Sequence, residues 1–262
     1  MTLRNVSFGL ILGVICAAGA TMTDAAESAD RAANGQIVDQ QPYSFPAYDK
    51  AEGIEFYAAR PEYEAAVNDP AFAFHKVRYL SDDLKVVAYL YQPVQPGARK
   101  LPLIIFNRGS GPAGDSAPLL ISLFHRLAGQ GFVVLAPQYR GSDGGEGRDE
   151  IGGADLDDVQ SLFPLAAGLG FIDMNNVFMY GESRGGMMTY QAIRDAFPIN
   201  AAAVFGAFTD LEIMNQSPSV QKAIPQIWPD YENAQGRDHP PPVSQVLARE
   251  VLHSRIDHER RR

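Results

Sequence analysis

Cysteine is nearly absent from this sequence. Cys16 is the only one, and it sits in an apolar N-terminal segment that reads as a removable signal. The remaining chain holds no thiol pair. A disulfide framework is therefore excluded, and stability has to come from core burial. Histidine is sparse as well. His75, His125, His239, His253 and His258 are scattered and match no Cys/His ligand spacing, so no metal and no other cofactor is expected. A basic surface is also missing. The formal net charge is -9, and the only basic block is at the C-terminal end. Nucleic acid is thus not an expected partner, because phosphate binding needs clustered cations. No repeat is visible. The one long apolar run, Val6 to Ala20, is too short and too rich in Ala and Gly for a comfortable membrane span.

What is present has the balance of one globular domain. Of 262 residues, 46% are hydrophobic and 20% charged, enough for a sizeable core. Arg4, the apolar run and Ala18-Gly19-Ala20 have the order of a secretory signal peptide. Residues 1–20 are expected to be cleaved, with a second option near Ala25, leaving an exported protein, periplasmic or secreted, with no stable membrane span. An uncleaved N-terminal anchor is the alternative. Lipid attachment at Cys16 fits less well, because bulky Ile15 stands where a small residue is wanted.

Residues 21–70 form an N-terminal extension, read as a flexible start and then a short helix near Pro61 to Val67. Phe74 to Leu80 and Leu84 to Tyr91 read as an antiparallel ribbon around Ser81-Asp82-Asp83, with period-two alternation in the second strand. From Leu101 onward, short apolar strands alternate with helices. Strands are expected at Leu103 to Phe106, Phe132 to Pro137, Val177 to Tyr180 and Ala202 to Phe208. Helices are expected at Pro118 to Leu127, with Ser116 or Asp115 as cap, at Asp155 to Leu169 with a kink at Pro164, and at Met187 to Phe197. This alternation predicts an α/β fold, a mostly parallel sheet covered by helices on both faces.

Gly181-Glu182-Ser183-Arg184-Gly185-Gly186 is G-x-S-x-G between a strand and a helix, the sequence form of a nucleophile elbow. Such a turn strains the serine backbone and requires small neighbours. Ser183 is the candidate nucleophile, and the amide of Arg184 is a candidate oxyanion donor. A Gly-rich turn with Ser183 as a helix cap is the plain alternative. Gly109, Gly111 and Gly114 follow a strand and precede a helix, which is also the spacing of a dinucleotide fingerprint. Pro112 removes a donor from that turn, and Gln138-Tyr139-Arg140 supplies no acid for a ribose. The hydrolase reading uses the same loop for a second oxyanion donor, with Gly109 chosen because it permits close approach.

Several runs together resemble the prolyl oligopeptidase (S9) catalytic domain. They are Tyr139-Arg140-Gly141-Ser142-Asp143-Gly144-Gly145-Glu146-Gly147, Asp149 to Val159, the Ser183 elbow, and Asn107-Arg108-Gly109-Ser110. The likeness covers about Phe74 to Asp210. It implies an α/β-hydrolase fold and a Ser–Asp–His mechanism. Ser183 would form an acyl-enzyme, and the amides of Gly109 and Arg184 would hold the oxyanion. The expected partner is a small peptide, amide or ester substrate. Peptide specificity is not implied, since larger members of the family carry a long N-terminal propeller that filters peptides, and fewer than 80 residues precede the likeness here.

The pattern holds over residues 71–235, read as an incomplete hydrolase core, and fails in an irregular tail, 236–262. Asp230, Asp238, Asp257, His239, His253 and His258 are the downstream candidates for acid and base. None follows a convincing strand, so neither role is assigned. Missing last strands and a reading-frame shift near Gly236 would both account for this; shifted by one nucleotide, the codons of His253 to Arg261 can encode an apolar strand. A truncated, inactive scaffold or binding protein, and less readily a dinucleotide-binding enzyme, are the competing functions.

Overall fold

Asp82 and Asp83 reverse the chain with φ of 48° and 63°. Positive φ at both central residues marks the two-residue turn whose twist suits a hairpin. The turn joins β2 (Phe72–Ser81) to β3 (Leu84–Pro93), paired without a register break from Ser81 opposite Leu84 to Phe72 opposite Pro93. The computed structural model describes residues 34–110, 115–207 and 218. The signal-like segment, Gly111, Gly114 and the 236–262 tail lie outside the described residues.

Within them, one sheet runs in the order β1-β2-β3-β5-β4-β6-β7. Its other strands are β1 (Ile37–Pro42), β4 (Leu101–Asn107), β5 (Val133–Pro137), β6 (Ile172–Glu182) and β7 (Ala201–Phe205). The β5-β4, β4-β6 and β6-β7 pairs are parallel, while β1, β2 and β3 join antiparallel. Among the described residues five α-helices accompany them: α1 (Arg60–Asn68), α2 (Ala117–Gly129), α3 (Asp155–Gln160), α4 (Leu162–Gly168) and α5 (Arg184–Arg194).

Alternate residues of β3 feed two separate cores. Val86, Ala88 and Leu90 join Leu103, Ile105, Val133 and Leu135 beneath α3, α4 and α5, meeting Leu156, Val159, Leu162 and Met188. Val87, Tyr89 and Tyr91 join Phe106, Val134 and Ala136 beneath α2, meeting Leu120, Ile121 and Phe124. The apolar strands are thus buried on both faces, as parallel strands between helix layers must be.

Two details differ from the sequence expectation, and one settles a choice it left open. First, β1 is a strand where a flexible start is expected. It is an edge strand of sequence IVDQQP, exposed along most of its length, and backbone pairing with β2 holds it without any apolar period. The residues after it are not loose either: Ile54, Ala58, Tyr63 and Ala66 are buried against the α2 face. Second, Ser116 occupies the α2 cap position but makes no capping bond with its side chain. Asp115 does instead, its carboxylate accepting the Ala117 N–H at 2.9 Å. Third, the expected kinked helix is two helices that break at Ser161. Pro164 has no N–H to offer the Gln160 carbonyl and crowds it. The chain therefore restarts, with Pro164 in the first turn of α4, where no such bond is needed.

The hairpin turn also meets α3. The Arg140 guanidinium bonds Asp82 at 2.8 Å and Asp158 at 2.7 Å. Asp157 feels the same three groups. Partial burial and the neighbouring Asp82 push its carboxyl up to about 6, with Asp158 adding and Arg140 opposing. The folded chain therefore binds this proton more tightly than the unfolded chain. The resulting stability is complete below about pH 4 and is lost as pH rises through about 6. Asp157→Asn should raise the melting temperature at pH 7.5 and leave it unchanged at pH 4. The gain should be small, about 0.5 kcal/mol or 1–2 °C, because the partly buried residue still keeps more than a third of its surface in solvent, which screens these charges. Melts of both proteins across pH 4–8 check this.

Candidate active site

β6 ends at Glu182 and α5 begins at Arg184, so Ser183 alone makes the turn. Its φ of 52° and ψ of -117° lie outside the regions open to ordinary L-residues, a conformation that costs roughly 1–3 kcal/mol. Neighbouring bonds enforce it. The Ser183 N–H donates to the Phe205 carbonyl at 2.9 Å, extending the β6-β7 ladder. The Ser183 carbonyl accepts from Gly186 and Met187 at 3.0 and 3.3 Å, opening α5.

The glycines around the serine are there for space. A Cβ on Gly181 would come within 2.5 Å of the Gly185 carbonyl oxygen, and one on Gly186 within 2.5 Å of the Ala207 Cβ. At Gly185 it would lie 1.9 Å from the Asn107 carbonyl oxygen. Strand β4 and helix α5 therefore touch backbone to backbone, and this contact brings the loop after β4 to the elbow. Asn107 reinforces it, its Nδ2 donating at 2.9 Å to Thr189 Oγ1, which in turn donates at 2.8 Å to the Gly185 carbonyl.

Gly109 is the next consequence. A Cβ there would stand 3.3 Å from the Ser183 Cβ and 3.9 Å from its Oγ. The Gly109 N–H makes no backbone hydrogen bond among the described residues. The Arg184 N–H, at the first helical position, has no acceptor inside its helix. Ser183, Gly109 and Arg184, the three residues singled out from sequence, are therefore brought together at the C-terminal end of β6. Of the three glycines in the dinucleotide-like spacing, Gly109 backs onto the serine, while Gly111 and Gly114 lie outside the described residues.

The Arg184 side chain has a role that sequence reasoning missed. It is buried, with Nη1 on Asp149 at 2.6 Å, Nη2 on Asp155, and its Cζ 4.3 Å from the centre of the Tyr139 ring. Burial alone would lower the guanidinium, but Asp155 and Asp149 more than offset it and hold it above its ordinary value. The acidic run from Asp149 to Asp158 was a signal that cations pair here, but not of which cation or of its burial. Arg108 has the opposite balance. It donates to two carbonyls, Gly109 at 2.9 Å and Gln138 at 2.7 Å, and burial pulls it below its ordinary value.

Neither described histidine reaches Ser183. His75 is on β2, four strands from β6 in the sheet order, or roughly 19 Å at ordinary strand spacing. The ring of His125, on α2, bonds Asp69 at 2.9 Å before the start of β2; β2 runs in the same direction as β6, so this pair sits at the opposite end of the sheet. Asp230, Asp238, Asp257, His239, His253 and His258 lie outside the described residues. Among the described residues, no cluster of three or more potential ligands could hold a metal, and no helix is long and apolar enough to cross a membrane.

Comparison with known proteins gives the same architecture. Residues 121–246 match the prolyl oligopeptidase family. Over that stretch the chain resembles the prolyl oligopeptidase family, and its fold is of the α/β-hydrolase type. It is similar to an uncharacterised peptidase, YtmA, of Bacillus subtilis, with 36% identity over 114 residues, 44% of this chain and 43% of the relative. It is also similar to the quorum-quenching protein AidA of Acinetobacter baumannii, with 32% identity over 113 residues, 42% of this chain and 36% of the relative. A puromycin-hydrolysing peptidase of Mycobacterium tuberculosis shares the fold at TM-score 0.51 and 22% identity, over 64% of this chain and 29% of that one. The matched part of this chain is thus less than half the length of either curated relative. The family match includes Ser183 and runs ten residues past Gly236, where the sequence reading placed a change of frame.

Proposed function

We propose that the chain acts as a serine hydrolase of the prolyl oligopeptidase-like class, cleaving a peptide, amide or ester bond through an acyl-enzyme on Ser183. The strained Ser183 backbone, with Gly109 against its side chain, carries this reading. A serine that only capped a helix would gain nothing from that strain, whereas a nucleophile gains exposure at the end of the sheet. In the proposed reaction Ser183 Oγ bonds to the acyl carbon as its proton leaves to a base. The carbonyl oxygen takes up negative charge and accepts from the amides of Gly109 and Arg184. Collapse then expels the leaving group with a proton, and water releases the acid. The base and its supporting acid are not assigned to residues. The substrate class is a small peptide, amide or ester, and the peptidase-type relatives support it. The signal-like segment up to Ala20 supports export as the setting.

A fluorophosphonate probe tests the proposal. The full chain should gain one covalent label by intact-mass analysis, and Ser183→Ala should gain none while keeping its melting temperature. A wild-type chain with no Ser183-dependent label would overturn the reading.

A further inference from the structure

We propose that Tyr139 is a positioning residue that ties the two oxyanion amides to each other. The inference rests on the serine hydrolase reading of the same site. The peptide bond between Arg108 and Gly109 is planar and rigid. Fixing its carbonyl therefore fixes the direction of the Gly109 N–H at its other edge. The Tyr139 hydroxyl does this, donating to the Arg108 carbonyl at 3.1 Å. The next peptide is fixed as well, by the Arg108 guanidinium on the Gly109 carbonyl.

The phenol is itself held firmly. Tyr139 is fully buried and has a φ of 66°, a backbone conformation that a bulky residue rarely adopts. Its ring contacts two guanidinium groups, Arg184 at 4.3 Å and Arg108 at 5.0 Å from the ring centre, each favoured by the electron-rich ring face. Arg184 is also the residue whose N–H is the other oxyanion donor. Its side chain, anchored on Asp149 and Asp155, presses on the ring whose hydroxyl sets the Gly109 peptide. One side chain thus connects both donors. Burial keeps the phenol well above its ordinary value, so it stays a neutral donor across working pH.

Tyr139→Phe removes the hydroxyl and keeps the ring. Amide hydrogen exchange at Gly109 should become faster in this variant, with exchange in β5 unchanged, and the melting temperature should fall by a few degrees because the buried Arg108 carbonyl loses its donor. The maximal rate of Ser183-dependent fluorophosphonate labelling should fall about 10-fold, less than deletion of a donor would cost, at an unchanged half-saturating probe concentration. Tyr139→Leu, which also loses the ring contacts, should label more slowly still. Unchanged Gly109 exchange in Tyr139→Phe, or a wild-type labelling rate, would overturn the inference. If the wild-type chain did not label through Ser183, the hydrolase reading would fail, and Gly109 exchange alone would then decide whether Tyr139 positions this peptide.

Discussion

Gly185→Ala should destabilise the fold by more than about 3 kcal/mol and reduce Ser183-dependent labelling by about 100-fold or more. The added methyl would sit 1.9 Å from the Asn107 carbonyl oxygen, 2.3 Å from its carbon and 2.6 Å from the Arg108 carbonyl oxygen. All three are backbone atoms, so no flexible side chain can move aside. Overpacking commonly costs 1–3 kcal/mol where neighbours adapt, and here they are the end of β4. Relief requires α5 to withdraw from β4, which carries the Arg108-Gly109 peptide away from Ser183. A displacement near 1 Å in a preorganised site costs on the order of 100-fold. Gly129→Ala is the matched control. A Cβ there meets nothing within 4 Å, and the residue ends α2 with ordinary dihedrals, so a gain of about 0.5 kcal/mol is expected from the less flexible unfolded chain. Urea midpoints for the two variants should move in opposite directions. A Gly185→Ala midpoint near wild type would mean that β4 and α5 do not meet as closely as described.

The elbow was legible because its demands are local. Gly181, Gly185 and Gly186 are needed within a few residues of the serine they serve, so spacing along the chain records the geometry. The ribbon and the buried strands were legible for a related reason, since period two and unbroken apolar runs follow from burial on one or both faces. What escaped is held by longer-range or backbone terms. Strand β1 shows no apolar alternation because an edge strand is fixed by its ladder, with solvent over most of its side chains. The kinked helix became two because Pro164 acts one turn back, on the Gln160 carbonyl. The role of the Arg184 side chain was hidden because its partners are Asp149, Asp155 and Tyr139, 29 to 45 residues away in sequence, and the charge pattern does not say which cation meets which acid. Gly109 illustrates the same limit. Its residue type pointed to close approach, but only the fold shows that Ser183 is what it approaches.

Asp155→Ala should cost about 3–5 kcal/mol, the usual penalty for breaking a buried ion pair. Asp155 is fully buried, bonds the Arg184 guanidinium, and accepts the Gly152 N–H at 2.9 Å. Its removal leaves a buried cation short of its best partner and a buried amide without an acceptor, and broken buried pairs are costly for that reason. Asp149 cannot replace it. That carboxylate is 30% exposed, so Asp149→Ala should cost only about 1 kcal/mol, because water can reach the vacated side. For a domain of this size the Asp155 loss corresponds to a fall of roughly 10 °C in melting temperature. Adding Arg184→Met to Asp155→Ala separates charge from packing. If the penalty is mainly an uncompensated buried guanidinium, the double variant should recover part of the loss, and the coupling in the four-member cycle should be large. Near-additive losses would instead place the cost in the Gly152 amide and the start of α3. In either case the Arg184 side chain would no longer be pinned from that side against the Tyr139 ring. Asp155→Ala should therefore also slow labelling at Ser183, although Asp155 is connected to the serine only through Arg184.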